Sequence, residues 1–186
     1  MYGESFWNKR YDEGAYLYGT ESNSFLAQKA DMLSSPVLSL SEGEGRNAVF
    51  LASHGLSVLG VDCSKVGLDK AKKLAKSKGV IIETEVADLT HFRPKENHYG
   101  SVISISAQLP SKIRNTLYPL IERSLKADGI LLLEAYSENQ LSKDTGGPKD
   151  ADMLMTVDKL KREFTSMDTI LLREIERKVS DGEGHT

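Results

Sequence analysis

The chain alternates short apolar or β-branched runs with longer segments of helical periodicity, and this alternation restricts its possible folds more than any other feature. Residues 37–40, 56–61, 80–87, 99–105, 129–136 and 169–179 read as strands. Between them, residues 46–54, 64–78, 111–126 and 156–164 carry apolar side chains at helical spacing. Strand–helix alternation repeated five times predicts an α/β fold, a doubly wound, mostly parallel sheet with helices on both faces. Ser64 is placed to cap its helix and Gly79 to end it. Residues 80–87 alternate apolar with polar, which suits a strand nearer the sheet edge than its centre. The segment 138–151 holds Gly146, Gly147 and Pro148 and reads as a loop.

Two short helical patterns precede the first strand. Phe6, Trp7, Arg10 and Tyr11 share one face of the first, and Asn23 can cap the second over 24–33. A length of 186 residues fits one domain. Its parts would be a helical flap over 1–33, a core over 36–179 and a tail over 180–186.

Composition narrows the function classes. Lys plus Arg is 24 against 27 Asp plus Glu, a net charge of −3, and no basic stripe stands out, so a nucleic-acid partner is not expected. No apolar run approaches the ~20 residues that span a bilayer, and the N-terminus lacks the basic start and apolar run of a secretory signal. The single cysteine, Cys63, excludes an internal disulfide framework and a closed cysteine-based zinc site. His54, His91, His98 and His185 show no metal-ligand spacing. A cytoplasmic protein with no membrane partner and no metal is the expectation.

In an open α/β sheet, ligands bind outside the carboxyl ends of the strands where the strand order reverses. The first strand leads into Ser41, Glu42, Gly43, Glu44 and Gly45, where the two glycines allow a tight turn and close approach of a ligand to the backbone. Asp62 ends the second strand, where a carboxylate can accept hydrogen bonds from vicinal ribose hydroxyls; it also fits a helix N-cap. Asp88 follows the third, placed to border an adenine edge or simply to open the loop towards Pro94. A glycine turn followed by two acids on one rim describes a nucleoside-shaped slot. His91 reads as a loop residue rather than a base.

The segment Val37 to Ala52 resembles the first motif of the class I S-adenosylmethionine-dependent methyltransferases, which have a Rossmann-like fold. The opening Trp7, Asn8, Lys9, Arg10, Tyr11 is similar to their tellurite-resistance and thiopurine methyltransferase-like branch. So are Tyr18-Gly19, Asn23 to Leu26, Val61 to Ser64, Ala87 to Leu89, Leu109-Pro110 and Leu133 to Tyr136.

The resemblance implies S-adenosylmethionine as cofactor, a small-molecule acceptor such as a thiol or chalcogen oxyanion, and in-line displacement without a catalytic triad. It puts Ser41, Glu42, Gly43 and Gly45 at the methionyl part, and Asp62 and Cys63 at the ribose and adenosine. It puts Ala87, Asp88 and Leu89 at the adenine. Ser104 and Ser106 would lie under the sulfonium, though both also read as small polar residues leaving a strand. Trp7, Tyr11 and Tyr18 would close over the donor, though aromatics at helical spacing also read as core packing, and Arg10 would meet the cofactor's carboxylate. Tyr11, Tyr18, Gln108 and Tyr136 are the acceptor-side candidates. Two departures stand out: Ser39 and Ser41 replace an acid and a glycine usual in the superfamily, and by this reading the sheet is expected to lack the family's final antiparallel strand. A monomer or homodimer is expected. Residues 43–48 also satisfy the Gly-x-Gly-x-x-Ala of nicotinamide-dependent oxidoreductases, and a non-catalytic cofactor-binding regulator is a further alternative.

Overall fold

Every strand of the sheet begins where a turn or helix end releases the chain. Val37–Leu40 (β1), Val58–Asp62 (β2), Glu83–Val86 (β3), Tyr99–Ile105 (β4) and Leu125–Glu134 (β5) form one sheet in the order β3-β2-β1-β4-β5. All neighbouring pairs are parallel. The helices are Glu4–Tyr11 (α1), Ser24–Lys29 (α2), Arg46–Ser53 (α3), Lys65–Ser77 (α4), Ser111–Ser124 (α5) and Val157–Glu163 (α6). This is a computed structural model, and it describes residues 3–12, 14–143 and 146–177.

Alternation along the strands sorts the core into two layers. Val37, Val58, Ile103 and Leu132 face Leu26, Leu51 and Leu74 of α2, α3 and α4. Leu38, Leu40, Val61 and Val102 face Ile113, Leu117 and Ile121 of α5, with Leu160 of α6 packed alongside. A sheet covered on both faces needs near-continuous apolar central strands. Accordingly β1 and β4 are buried throughout, whereas Glu83 and Glu85 of the edge strand β3 are exposed.

The expected caps are in place. Ser64 Oγ accepts from Gly67 N at 3.0 Å. Asn23 Oδ1 accepts from Phe25 N at 2.9 Å and Leu26 N at 3.0 Å, while its Nδ2 donates to Glu134 Oε1 at 2.7 Å. Substituting Asn23 by alanine is therefore expected to lower stability by about 1–2 kcal/mol, the upper range for a lost cap. Urea unfolding would measure it, and an unchanged midpoint would show that the cap carries no stability.

The strand expected over 169–179 does not form among the described residues. Residues 171–177 are an irregular segment, and Ile170, Leu171 and Ile175 stay 71 %, 47 % and 54 % exposed. Side chains, not ladder hydrogen bonds, hold it: Asn139 donates to Glu174, and Arg177 donates to Glu134 and Ser24. A short apolar cluster, Ile170 to Leu172, followed by charged residues fits a strand and an extended surface segment equally, so the pattern alone does not separate them. The rest of that expected strand and the tail, residues 178–186, lie outside the described residues. Smaller differences fall at boundaries: α5 ends at Ser124, two residues early, and the 138–151 segment contains short 3-10 turns at Glu138–Ser142 and Ala151–Met153. Among the described residues no helix is long and apolar enough to cross a membrane, and no acid, His or Cys cluster suits a metal.

Candidate functional site

Because all five strands run parallel, their carboxyl ends share one rim. Leu40 pairs with Val61 and with Ser104, Asp62 with Val86, and Ile105 with Glu134. The residues that follow these positions, Ser41 to Gly45, Cys63, Ala87 to Leu89 and Ser106, are thus brought to one end of the sheet. Strand order reverses between β1 and β4, the place where such sheets bind ligands.

The turn after β1 is held in a conformation that requires its glycines. Ser41, Gly43 and Gly45 have φ of 52°, 63° and 96°. A Cβ on Gly43 would sit 2.8 Å from the Tyr11 hydroxyl, and one on Gly45 2.6 Å from Ala71 Cα in α4. Asp62 fixes the turn from β2: its Oδ2 accepts from Gly43 N at 2.9 Å and its Oδ1 from Ser64 N at 2.8 Å. It is only 6 % exposed, and burial raises its pKa against those bonds. Cys63 hydrogen-bonds the same carboxylate through its thiol and its amide. Burial and the Asp62 charge push the half-buried Cys63 thiol up to about 11, so it is not a thiolate at neutral pH.

Glu42 turns away from the rim. Its Oε1 accepts from Ala48 N in the first turn of α3 at 2.8 Å, and its Oε2 is hydrogen-bonded to the Ser39 hydroxyl. Gly60 on β2 makes the room, since a Cβ there would lie 3.0 Å from Glu42 Cγ. Burial pushes the Glu42 carboxyl up to about 7, with Asp62 adding to the shift. Both of its oxygens are thus engaged inside the protein, beside the serine that stands where an acid is usual.

The flap lies on this turn. Trp7 stacks on Tyr11 at 5.4 Å between ring centroids, and the Tyr11 ring packs on Gly43 and Gly67. Burial, then Asp62, hold the Tyr11 phenol well above its ordinary pKa, so it stays a hydroxyl. Arg10 is exposed and hydrogen-bonds Tyr18. Asp88 is exposed; Thr90 N donates to its Oδ1 at 2.8 Å and lowers its pKa. Leu89 is core, and Ala87 N donates to the Asp62 carbonyl. His91 is exposed on the same loop.

The remaining sequence candidates lie towards β5. Ser104 is 2 % exposed within β4, and Ser106, with φ 57°, donates its N–H to the Glu134 carbonyl. With its amide oriented so that both atoms are paired, Gln108 donates to Met153 O and accepts from Tyr136 N. Ser106 and Tyr136 line a cavity of about 1080 Å³ together with Phe25, Leu133, Met155 and Leu171.

Two residues that the motif reading passes over complete the site. Glu44, between the two glycines, is 5 % exposed and paired with Lys70 of α4, and its Oε2 accepts from Leu17 N of the flap at 2.8 Å. The available signal was physical: a charge inside a tight buried turn requires a partner.

Residues 37–129, half of the chain, match a family model described as a methyltransferase domain. The uncharacterized methyltransferase YodH of Bacillus subtilis is 30 % identical over 111 residues, 60 % of this chain and 47 % of that protein. The 2-heptyl-1-hydroxyquinolin-4(1H)-one methyltransferase of Mycobacteroides abscessus is 24 % identical over 115 residues, 60 % of this chain and 51 % of that one. The chain thus spans about half the length of the curated relatives it matches. Among solved structures, an S-adenosylmethionine-dependent methyltransferase from Geobacter sulfurreducens, in complex with S-adenosyl-L-homocysteine, superposes with a TM-score of 0.63 at 18 % identity. That superposition covers 89 % of this chain and 71 % of the other, and it supports the Rossmann-like fold.

Proposed function

The chain belongs to the methyltransferase-domain family, and from that membership we propose that it transfers a methyl group from S-adenosylmethionine to a small-molecule acceptor. The observation that carries the reading is the Asp62 carboxylate, which ties the glycine turn to the end of β2 on the rim where the strand order reverses. The residues fit the cofactor. The turn needs two glycines to stay open under Tyr11 and against α4, and positive φ at every second residue, 41, 43 and 45, makes the backbone concave.

Within this reading Asp62 orients the ribose, Cys63 packs beside the adenosine as a neutral thiol, and Ala87, Asp88 and Leu89 border the adenine. Trp7 and Tyr11 cover the donor and exclude water, and an aromatic face attracts a sulfonium as it does other cations. Ser104 and Ser106 lie on the β4 side, towards the cavity where the acceptor enters. When bound, the cofactor supplies the activated methyl group; the protein supplies binding and alignment. Holding the reacting atoms close contributes ~7–11 kcal/mol by itself. A thiol or a chalcogen oxyanion, the acceptors of the tellurite-resistance and thiopurine-like branch, needs no general base. A cavity of about 1080 Å³ also admits a larger organic acceptor.

Calorimetric titration with S-adenosylmethionine, S-adenosylhomocysteine and NAD tests the cofactor. Binding of the first two and not the third is expected; the reverse would make the chain an oxidoreductase. A labelled-methyl assay over thiols, selenite, tellurite and hydroxyquinolones then tests transfer. Tight product binding with no methyl transfer to any of them would favour a cofactor-binding regulator.

A further inference from the structure

Among its described residues, the stretch between α1 and α2 has no helix or strand to satisfy its backbone, yet it is fastened at four points. Lys70 Nζ donates to the carbonyls of Tyr11 at 3.1 Å and Ala15 at 2.5 Å, and its third donor meets the Glu44 carboxylate. The other Glu44 oxygen accepts from Leu17 N at 2.8 Å. Arg46 Nη1 reaches the Tyr18 carbonyl at 3.2 Å. Tyr16 closes the arrangement, its hydroxyl donating to the Lys70 carbonyl at 3.2 Å and its ring centroid 5.0 Å from Nζ. The Lys70 and Glu44 side chains are 12 % and 3 % exposed, so this is not a solvated surface pair.

We propose that Lys70 and Glu44 are positioning residues that fasten the flap onto the glycine turn and thereby set how tightly the cofactor is held. Glu44 belongs to the turn itself, between Gly43 and Gly45, whereas the groups it and Lys70 bind belong to the flap. The flap end that Lys70 grips is Tyr11, the residue whose ring covers Gly43. Releasing the pair frees Tyr11 and Trp7 from the cofactor's side of the turn. An ammonium suits the task because its three donors diverge towards three acceptors, whereas the planar guanidinium of arginine presents a fork. The inference rests on the methyl-transfer reading only for what the flap covers, not for how the flap is held.

Trp7 is the only tryptophan, so its emission reports the flap without any ligand. Lys70→Met, Lys70→Arg and Glu44→Gln are compared with the parent chain by Trp7 emission, by proteolysis of the first 20 residues and by calorimetry with S-adenosylhomocysteine. Far-UV circular dichroism selects the variants that fold. The expected result for Lys70→Met and Glu44→Gln is a red-shifted Trp7, faster cleavage of the flap and roughly tenfold or weaker product binding, as for the loss of a charged hydrogen bond. Lys70→Arg is expected to fall in between. Folded variants with unchanged Trp7 emission and cleavage would overturn the proposal, as would a loosened flap with unchanged affinity. Failure of the parent chain to bind product would instead overturn the methyl-transfer reading, while emission and cleavage still decide whether the pair holds the flap.

Discussion

Asp62→Ala is expected to abolish measurable binding of S-adenosylhomocysteine and to lower folding stability by about 2–4 kcal/mol. The two consequences have separate causes. Stability falls because the amides of Gly43 and Ser64 lose a common acceptor at a site only 6 % exposed, where water replaces it poorly. Binding falls because the turn is no longer tied to β2 and, on the proposed ribose site, because the diol loses its acceptor. Asp62→Asn separates the two, since asparagine keeps one acceptor but turns an NH₂ group towards the other amide. Its stability should lie between alanine and the parent, with cofactor affinity still reduced. Urea unfolding and calorimetry, run where all three proteins are folded, give both numbers. An alanine variant as stable as the parent would mean that the two amides find other partners. One that binds product normally would move the ribose site away from β2.

How much of this was legible before the structure depends on whether a residue acts through periodicity or through a contact across the chain. β1 and β4 are legible to the residue because short runs of apolar and small residues bounded by turns have few alternatives, and both strands are buried throughout. The caps at Ser64 and Asn23 were legible because a cap is local chemistry. The 169–179 segment departs from the expected strand because an apolar cluster such as Ile170 to Leu172 does not say whether a neighbouring strand accepts the backbone. The rim positions followed from topology, since strand ends in a parallel sheet must converge. What Glu42 does there did not follow. Its side chain reaches back three residues to Ser39 and forward six to Ala48, and only the gap at Gly60 makes that path available. Lys70 was hidden in a lysine-rich helix whose other face is solvated, and nothing in the sequence marks the one lysine that points at backbone carbonyls 55 and 59 residues away.

The pH dependence of stability should carry the signature of Glu42. Its carboxyl rises from 4.5 to about 7 on folding, driven by burial and reinforced by Asp62 on β2, with the Ser39 and Ala48 hydrogen bonds and Arg46 of α3 opposing. Asp62 is itself raised by burial, so the same sign applies to it. A carboxyl raised in this way makes the folded state bind more protons than the unfolded chain between its two pKa values. The contribution is therefore fully present below about pH 4.5 and is lost as pH climbs through about 7. A shift of that size corresponds to on the order of 3 kcal/mol. Glu42→Gln should remove the dependence at low structural cost, because the amide oxygen can accept from Ala48 N and the NH₂ can donate to Ser39 Oγ. The variant is then expected to match the parent in acid and to exceed it in stability at about pH 8, where the parent must keep a charge buried. Urea unfolding of both proteins across the range decides it. Parallel stability curves would show that Glu42 keeps one protonation state throughout, with the local field of Arg46 and the two hydrogen bonds outweighing burial. Divergence would make the carboxyl beside Ser39 a neutral-range titrating group directly behind the glycine turn, and cofactor affinity measured across the same range should bend at the same pH.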